Sequence, residues 1–134
     1  MYGSEAPVYG AVAADHLERP RNLGQLDAPG GVGRIEEAAR DTQVTIYVRV
    51  LESASGEQVV CAARFRAFGC GGCIITGSMV TELVLGRSIA EAATIDEAAV
   101  LHALDHGLPP DQQYCAELAV RALRLAISDA TANA

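Results

Sequence analysis

The stretch from residue 42 to residue 85 constrains this chain most, because its periodicity changes once, at a pair of cysteines. Residues 42–51 (Thr-Gln-Val-Thr-Ile-Tyr-Val-Arg-Val-Leu) are rich in β-branched side chains and alternate in polarity, the signature of a strand. A turn sequence, Glu52-Ser53-Ala54-Ser55-Gly56, leads to a second strand at residues 58–68, and the two read as a hairpin. Phe68-Gly69-Cys70-Gly71-Gly72-Cys73 follows, and from residue 74 to 85 the apolar spacing is helical, stopping at Gly86, a normal place for a helix to end. Two thiols therefore sit in a glycine-rich turn between a strand and a helix. Thiolates are the nucleophiles of sulfur chemistry and preferred ligands of zinc and iron-sulfur clusters, and glycines remove the Cβ atoms that keep a backbone at a distance. Cys115, after Leu108-Pro109-Pro110, is a third candidate thiol.

At 134 residues the chain fits one domain with a core that needs no covalent staples. Half the residues are hydrophobic, but tryptophan is absent and aromatics make up 4%, so Ala, Val, Leu and Ile must build that core. Stacking platforms for bases are scarce, and 17 acidic against 10 basic residues give a net charge of −7, which repels a phosphate backbone. Neither a nucleic acid nor an anionic membrane is an expected partner. No run approaches the roughly 20 apolar residues that span a bilayer, so a cytoplasmic protein is expected. Four cysteines are too few for a disulfide framework in a chain this long, and grouped cysteines in a reducing compartment bind metal or do chemistry.

The remaining elements are read from helical spacing and punctuation. A short helix at residues 9–18 ends before Pro20, loose tails are expected at about 1–8 and 129–134, and Gly30, Gly31 and Gly33 punctuate the next segment. Short helical segments at 88–94 and 96–105 precede a last helix at about 112–128, with Cys115, Leu118, Ala119, Ala122, Leu125 and Ala126 on one face. On the second strand, alternation puts Cys61, Ala63, Phe65 and Ala67 on one face, the buried one, with Arg64 and Arg66 opposite. Cys61 is thus read as a packed small hydrophobe, and His102 and His106 as a solvated helix end.

Three separated segments resemble the U-type iron-sulfur cluster assembly scaffolds, the family of IscU and the N-terminal domain of NifU. They are Asp15-His16-Leu17-Glu18-Arg19-Pro20-Arg21-Asn22-Leu23-Gly24, then Ala63-Arg64-Phe65-Arg66-Ala67-Phe68-Gly69-Cys70-Gly71, then Leu108-Pro109-Pro110 followed by Cys115 and an amphipathic helix. They occur in the family's order and cover roughly residues 9–128. The resemblance implies one α+β domain, with a small antiparallel sheet of about three strands packed by helices and a long C-terminal helix. It implies a surface site of three cysteines and an aspartate that accepts sulfur from a cysteine desulfurase, assembles a cluster and passes it to recipient apo-proteins, with a homodimer as one form. Matched residue by residue, Cys70 falls at the family's second cysteine, Cys115 at the third and Asp41 at the aspartate.

The chain also departs from the family. Glu37-Ala38-Ala39-Arg40-Asp41 places Ala39 at the first cysteine and Arg40 where glycine is usual, Tyr114 replaces a histidine before the third cysteine, and Asp111-Gln112-Gln113 lacks the lysine after Leu-Pro-Pro. The last change weighs against chaperone docking at Leu108-Pro109-Pro110. One thiol is gained, Cys73, where the family has a small residue. Cys70, Cys73, Cys115 and Asp41 together would make a tetrahedral zinc site or a cluster ligand set, and Cys73 at a helix start, with Arg40 as a neighbouring cation, would favour thiolates.

The expected function is a cluster or iron scaffold, carried on Cys70, Cys73 and Cys115, and not an enzyme. The alternatives are a zinc-holding sulfur acceptor, a ligand-depleted paralogue acting as a partner of the assembly machinery, and a Cys-x-x-Cys dithiol redox protein.

Overall fold

The expected hairpin forms the middle and one side of a three-stranded sheet. In the computed structural model, which describes residues 8–132, antiparallel strands β1 (Gly31–Glu37), β2 (Thr42–Glu52) and β3 (Gln58–Phe68) lie in the order β1-β2-β3. Five helices, α1 (Ala11–Glu18), α2 (Gly71–Val84), α3 (Ile89–Ala92), α4 (Glu97–Ala103) and α5 (Tyr114–Ala132), complete the fold. α5 packs on β1 and β2, α2 on β3 and α5, and α1 on α2. The α+β architecture with a small antiparallel sheet and a long C-terminal helix is as expected.

The core lies between sheet and helices and is aliphatic, with Val44, Ile46, Val48, Ile75, Val80, Leu118 and Leu123 buried. Phe65 is the largest fully buried side chain, and it fits because α2 offers Gly77: a Cβ there would stand 2.4 Å from the ring.

Three readings are corrected. Cys61 is exposed, because β3 carries a bulge: Arg49 pairs with Ala62 but Val50 pairs with Val60. Cys61 is the unpaired extra residue, so the inward face passes from Ala63 to Val60, and strict alternation fails there. The glycine segment is a strand. Gly31 and Gly33 face α5 so closely that a Cβ on either would stand 2.0 Å from a carbonyl oxygen, of Ala126 and Ala122 respectively. Finally, α5 continues to Ala132, past the expected end at 128, because Ala130 is buried on the same glycine stripe and Asp129 Oδ2 accepts from Val32 N–H at 2.9 Å. Of the expected tails, residues 1–7 and 133–134 lie outside the described residues.

The sheet edges are covered. Along β3, Phe65 N–H donates to Asn22 O at 2.9 Å, Gly24 N–H to Phe65 O at 2.8 Å and Val60 N–H to Arg87 O at 2.9 Å, so neighbouring loops occupy the ladder an unpaired edge would expose. α3 has a full capping box between Ser88 and Glu91, and Asp96 caps α4, as the sequence pattern of these short helices requires.

Candidate metal centre

The glycine-rich turn is already helical. α2 begins at Gly71, with Cys70 as its N-cap and Cys73 N–H donating to Cys70 O at 3.0 Å. N-cap and N3 side chains lie on the same side of a helix end, so Cys70 and Cys73 face one way without a separate loop. They face the first turn of α5, which carries Cys115. The sulfurs of Cys70 and Cys115 are 3.4 Å apart and those of Cys73 and Cys115 are 3.1 Å apart. All three lie within 4.8 Å of one another, and among the described residues they are the one such group of histidine, cysteine or carboxylate ligands. Cys73 and Cys115 are buried, and Cys70 is half-buried.

Glycine makes this approach possible. A Cβ on Gly72 would stand 3.2 Å from Cys115 Sγ and 2.8 Å from Gln112 Oε1, and one on Gly71 would stand 2.6 Å from the Tyr9 hydroxyl. Tyr9 in turn donates to Gln112 Oε1 at 2.9 Å. Thr76 ties the two cysteine-bearing helices together, its hydroxyl lying 2.8 Å from Gly72 O and 3.2 Å from Cys115 O.

The turn between β1 and β2 reaches the same site without supplying a thiol. Ala38–Arg40 form a single 3-10 turn, Ala39 is exposed, and Asp41 adopts a left-handed conformation with φ 50°. Arg40 sits over the ring of Tyr114, 4.1 Å from its centroid, and pairs with Glu37. It is therefore held by an aromatic face and a carboxylate.

Tyr114 continues the connection. Its hydroxyl is 3.2 Å from Thr42 Oγ1 and 3.7 Å from Cys70 Sγ, while the Thr42 hydroxyl donates to Arg40 O at 3.0 Å. Thr42 has one hydrogen and spends it on that carbonyl, so it accepts from Tyr114, and Tyr114 accepts from the Cys70 thiol. The chain of donors runs from Cys70 through Tyr114 and Thr42 to the backbone of Arg40. Asp41, next to Thr42, lines a surface cavity with Glu36, Glu37, Ala38, Thr42, Gln43 and Phe68. Its carboxylate stands outside the group of three sulfurs.

At Cys115 the surroundings favour the thiol over the thiolate. The hydrogen bond with Cys73, then burial, push the Cys115 thiol well above its ordinary range. Burial raises the Tyr114 phenol and, more gently, that of Tyr9. The metal-free site therefore holds a proton on Cys115, and a metal that needs the thiolate must displace it.

Residues that sequence reasoning left without partners acquire them. His16 is buried, with Nδ1 2.7 Å from Ser78 Oγ and Nε2 3.6 Å from Glu82 Oε1. Ser78 Oγ also accepts from Arg21 N–H at 2.9 Å, so this hydroxyl joins the His16 ring to the backbone of Arg21. His102 and His106 stack edge to face with centroids 6.0 Å apart at the end of α4, away from the thiol group. Tyr9, Thr42, Thr76 and Gln112 were not signalled by any motif; the paired glycines at 71 and 72 were the sequence's one hint that neighbours pack against this turn.

Residues 8–133 match the family described as NifU-like N terminal domain. The chain is 40% identical over 121 residues to the bifunctional protein NifU/MnmA of Rubrobacter xylanophilus, covering 90% of this chain and 24% of that one. It is 37% identical over 122 residues to the iron-sulfur cluster assembly scaffold protein IscU 1 of Archaeoglobus fulgidus, covering 91% and 76%, and 34% identical over 124 residues to IscU of Azotobacter vinelandii, covering 90% and 92%. Thus it spans about a quarter of the bifunctional relative and most of the others. Among solved structures, the N-terminal part of a nitrogen-fixing NifU-like protein from Brucella abortus superposes with a TM-score of 0.64 at 17% identity, covering 94% of this chain and 93% of that one.

Proposed function

We propose, since this chain belongs to the NifU-like N-terminal domain family, that it is an iron-sulfur cluster assembly scaffold working with an altered ligand set. The observation that carries the proposal is the convergence of Cys70, Cys73 and Cys115 within 4.8 Å. Their separations of 3.1 and 3.4 Å are close to the ~3.8 Å that two sulfurs span on a tetrahedral ion with metal–sulfur bonds of about 2.3 Å. Sub-ångström adjustments would seat a metal. In this reading Cys73 takes over from the thiol absent at Ala39, and a fourth position stays open for cargo exchange or for Asp41 at the neighbouring turn.

The cargo is iron and sulfide, or the nascent cluster. Sulfur would come from a cysteine desulfurase and the cluster would go to recipient apo-proteins, in the cytoplasm, where thiols stay reduced. The scaffold role makes no demand for a substrate pocket. A zinc-holding sulfur-acceptor variant is supported by the same three-thiol geometry, which suits a tetrahedral ion equally well.

The test is elemental analysis with a UV-visible spectrum on anaerobically purified protein, before and after supplying ferrous iron and sulfide. Thiolate-to-iron absorption with stoichiometric iron and sulfide is the expected result. A colourless protein retaining one zinc moves the assignment to the sulfur acceptor, and one taking up no metal overturns both.

A further inference from the structure

The three thiols are not equivalent. Cys70 is half-buried while Cys73 and Cys115 are fully buried, so a reagent meets Cys70 first. Beneath it, Cys115 Sγ lies 3.4 Å from Cys70 Sγ and 3.1 Å from Cys73 Sγ. The three sulfurs form a compact triangle, every pair within 4.8 Å, with one corner at the surface. A disulfide bond is about 2.05 Å long, so either neighbouring pair needs little more than an ångström of closure to bond.

We propose that this triangle of thiols reduces sulfane sulfur to sulfide, an activity that rests on the site being the sulfur-handling centre described above. In the first step the Cys70 thiolate attacks the outer sulfur of a persulfide donor, R–S–SH. The Cys70–S bond forms, the donor's S–S bond breaks, and the donor leaves as its thiol. In the second step Cys115 attacks Cys70 Sγ itself, its proton passing to the departing sulfur. The Cys70–Cys115 disulfide forms, the bond to the sulfane sulfur breaks, and that atom leaves as hydrosulfide.

Two thiols have lost one electron each, and the sulfane sulfur has gained both. The leaving sulfur is on the open side of Cys70 and the attacking one on the buried side, the opposed arrangement that exchange at a disulfide sulfur uses. The net change per chain is one persulfide and two thiols to one thiol, one sulfide and one disulfide.

The experiment uses the full chain carrying Cys61→Ser, metal-free and anaerobic, with cysteine persulfide as the donor and no other reductant. Released sulfide, intact mass and disulfide mapping are read together. The expected result is one sulfide per chain, a protein lighter by two hydrogens, and a disulfide that contains Cys115. Cys115→Ser should instead retain the sulfur on Cys70, with sulfide release at least tenfold lower. Cys70→Ser, altered at a half-buried position that leaves the core intact, should take up none.

A stable persulfide on the parent protein without sulfide release overturns the proposal. So does release undiminished in Cys115→Ser, or no uptake of sulfur at all. Giving the same preparation ferrous iron and inorganic sulfide separates the two readings: a cluster formed that way leaves the scaffold assignment standing even where persulfide reduction fails.

Discussion

The guanidinium of Arg40 rests 4.1 Å from the centroid of the Tyr114 ring, and this contact fastens the turn that lacks a thiol onto the helix that carries one. Tyr114 then passes the connection to Thr42 and Cys70 through its hydroxyl. Tyr114→Phe should lower stability by about 0.5–1.5 kcal/mol, the net worth of a hydrogen bond. Arg40→Ala should cost about 0.5–1 kcal/mol, as for a cation over an aromatic face at a partly exposed site. Urea denaturation of both and of the double variant measures the coupling; strictly additive losses would show that the contact transmits nothing.

Cys73 is the thiol that distinguishes this site. Cys73→Ser should weaken iron or zinc binding by more than the about 10–100-fold lost when an outer hydrogen-bonding partner of a ligand is removed. Metal titration against a competing chelator reads the affinity directly. Undiminished binding would sink the substitution of Cys73 for the thiol missing at Ala39.

Cys61 separates strand periodicity from strand geometry. Strict alternation buries it, whereas the bulge opposite Arg49 and Val50 exposes it. In the folded, metal-free protein Cys61 should be alkylated first, Cys70 next, and Cys73 and Cys115 only on unfolding. Cys61→Ser should change stability by no more than about 0.5 kcal/mol, as surface substitutions do. Peptide mapping after timed exposure to iodoacetamide gives the order.

His16 should make stability fall in mild acid. Burial, then the Arg21 charge, lower its folded pKa below the ordinary 6.5, and Glu82 and Asp15 oppose them only in part. The unfolded chain therefore binds this proton more readily than the folded one. Stability is complete above 6.5, declines as pH falls from there to the folded pKa, and declines no further from this group below it. Asp15 has the same sign at lower pH, since its bonds to Arg21 and then Arg19 depress it. Denaturation midpoints between pH 7.5 and 5 should drop for the parent protein and flatten for His16→Gln.

Much of the fold was legible because it obeys simple periods. β2 and β3 announce themselves through β-branched alternation, and α2 and α5 through helical spacing. β1 did not, because its inward positions are Gly31 and Gly33, which bring no apolar side chain to the pattern; their burial comes from a backbone-to-backbone approach that only α5 explains. The end of α5 was hidden for the matching reason: its alanines read as a tail until paired with those glycines. The bulge at Cys61 adds one residue to a strand, and no local propensity marks where.

The site was half legible. The three cysteines stood out by type and spacing, and the resemblance supplied their order. Their arrangement as N-cap, N3 and first turn of a second helix depends on α2 meeting α5, a tertiary fact. Arg40 read only as a cation neighbouring the thiols, because its aromatic partner is far along the chain. Tyr114 read as the replacement of a histidine, which left unseen its place as a hydrogen-bonding relay between Cys70 and Thr42.

The glycine contact between β1 and α5 acts as the pivot of a caliper. From it one arm runs along the strand to Arg40 and the other along the helix to Tyr114, and the jaws meet over the thiols. The pivot is closed to the thickness of two backbones, which fixes how far apart strand and helix begin. What sets Arg40 over Tyr114 is the short turn at 38–41, where Asp41 holds a positive φ of 50°.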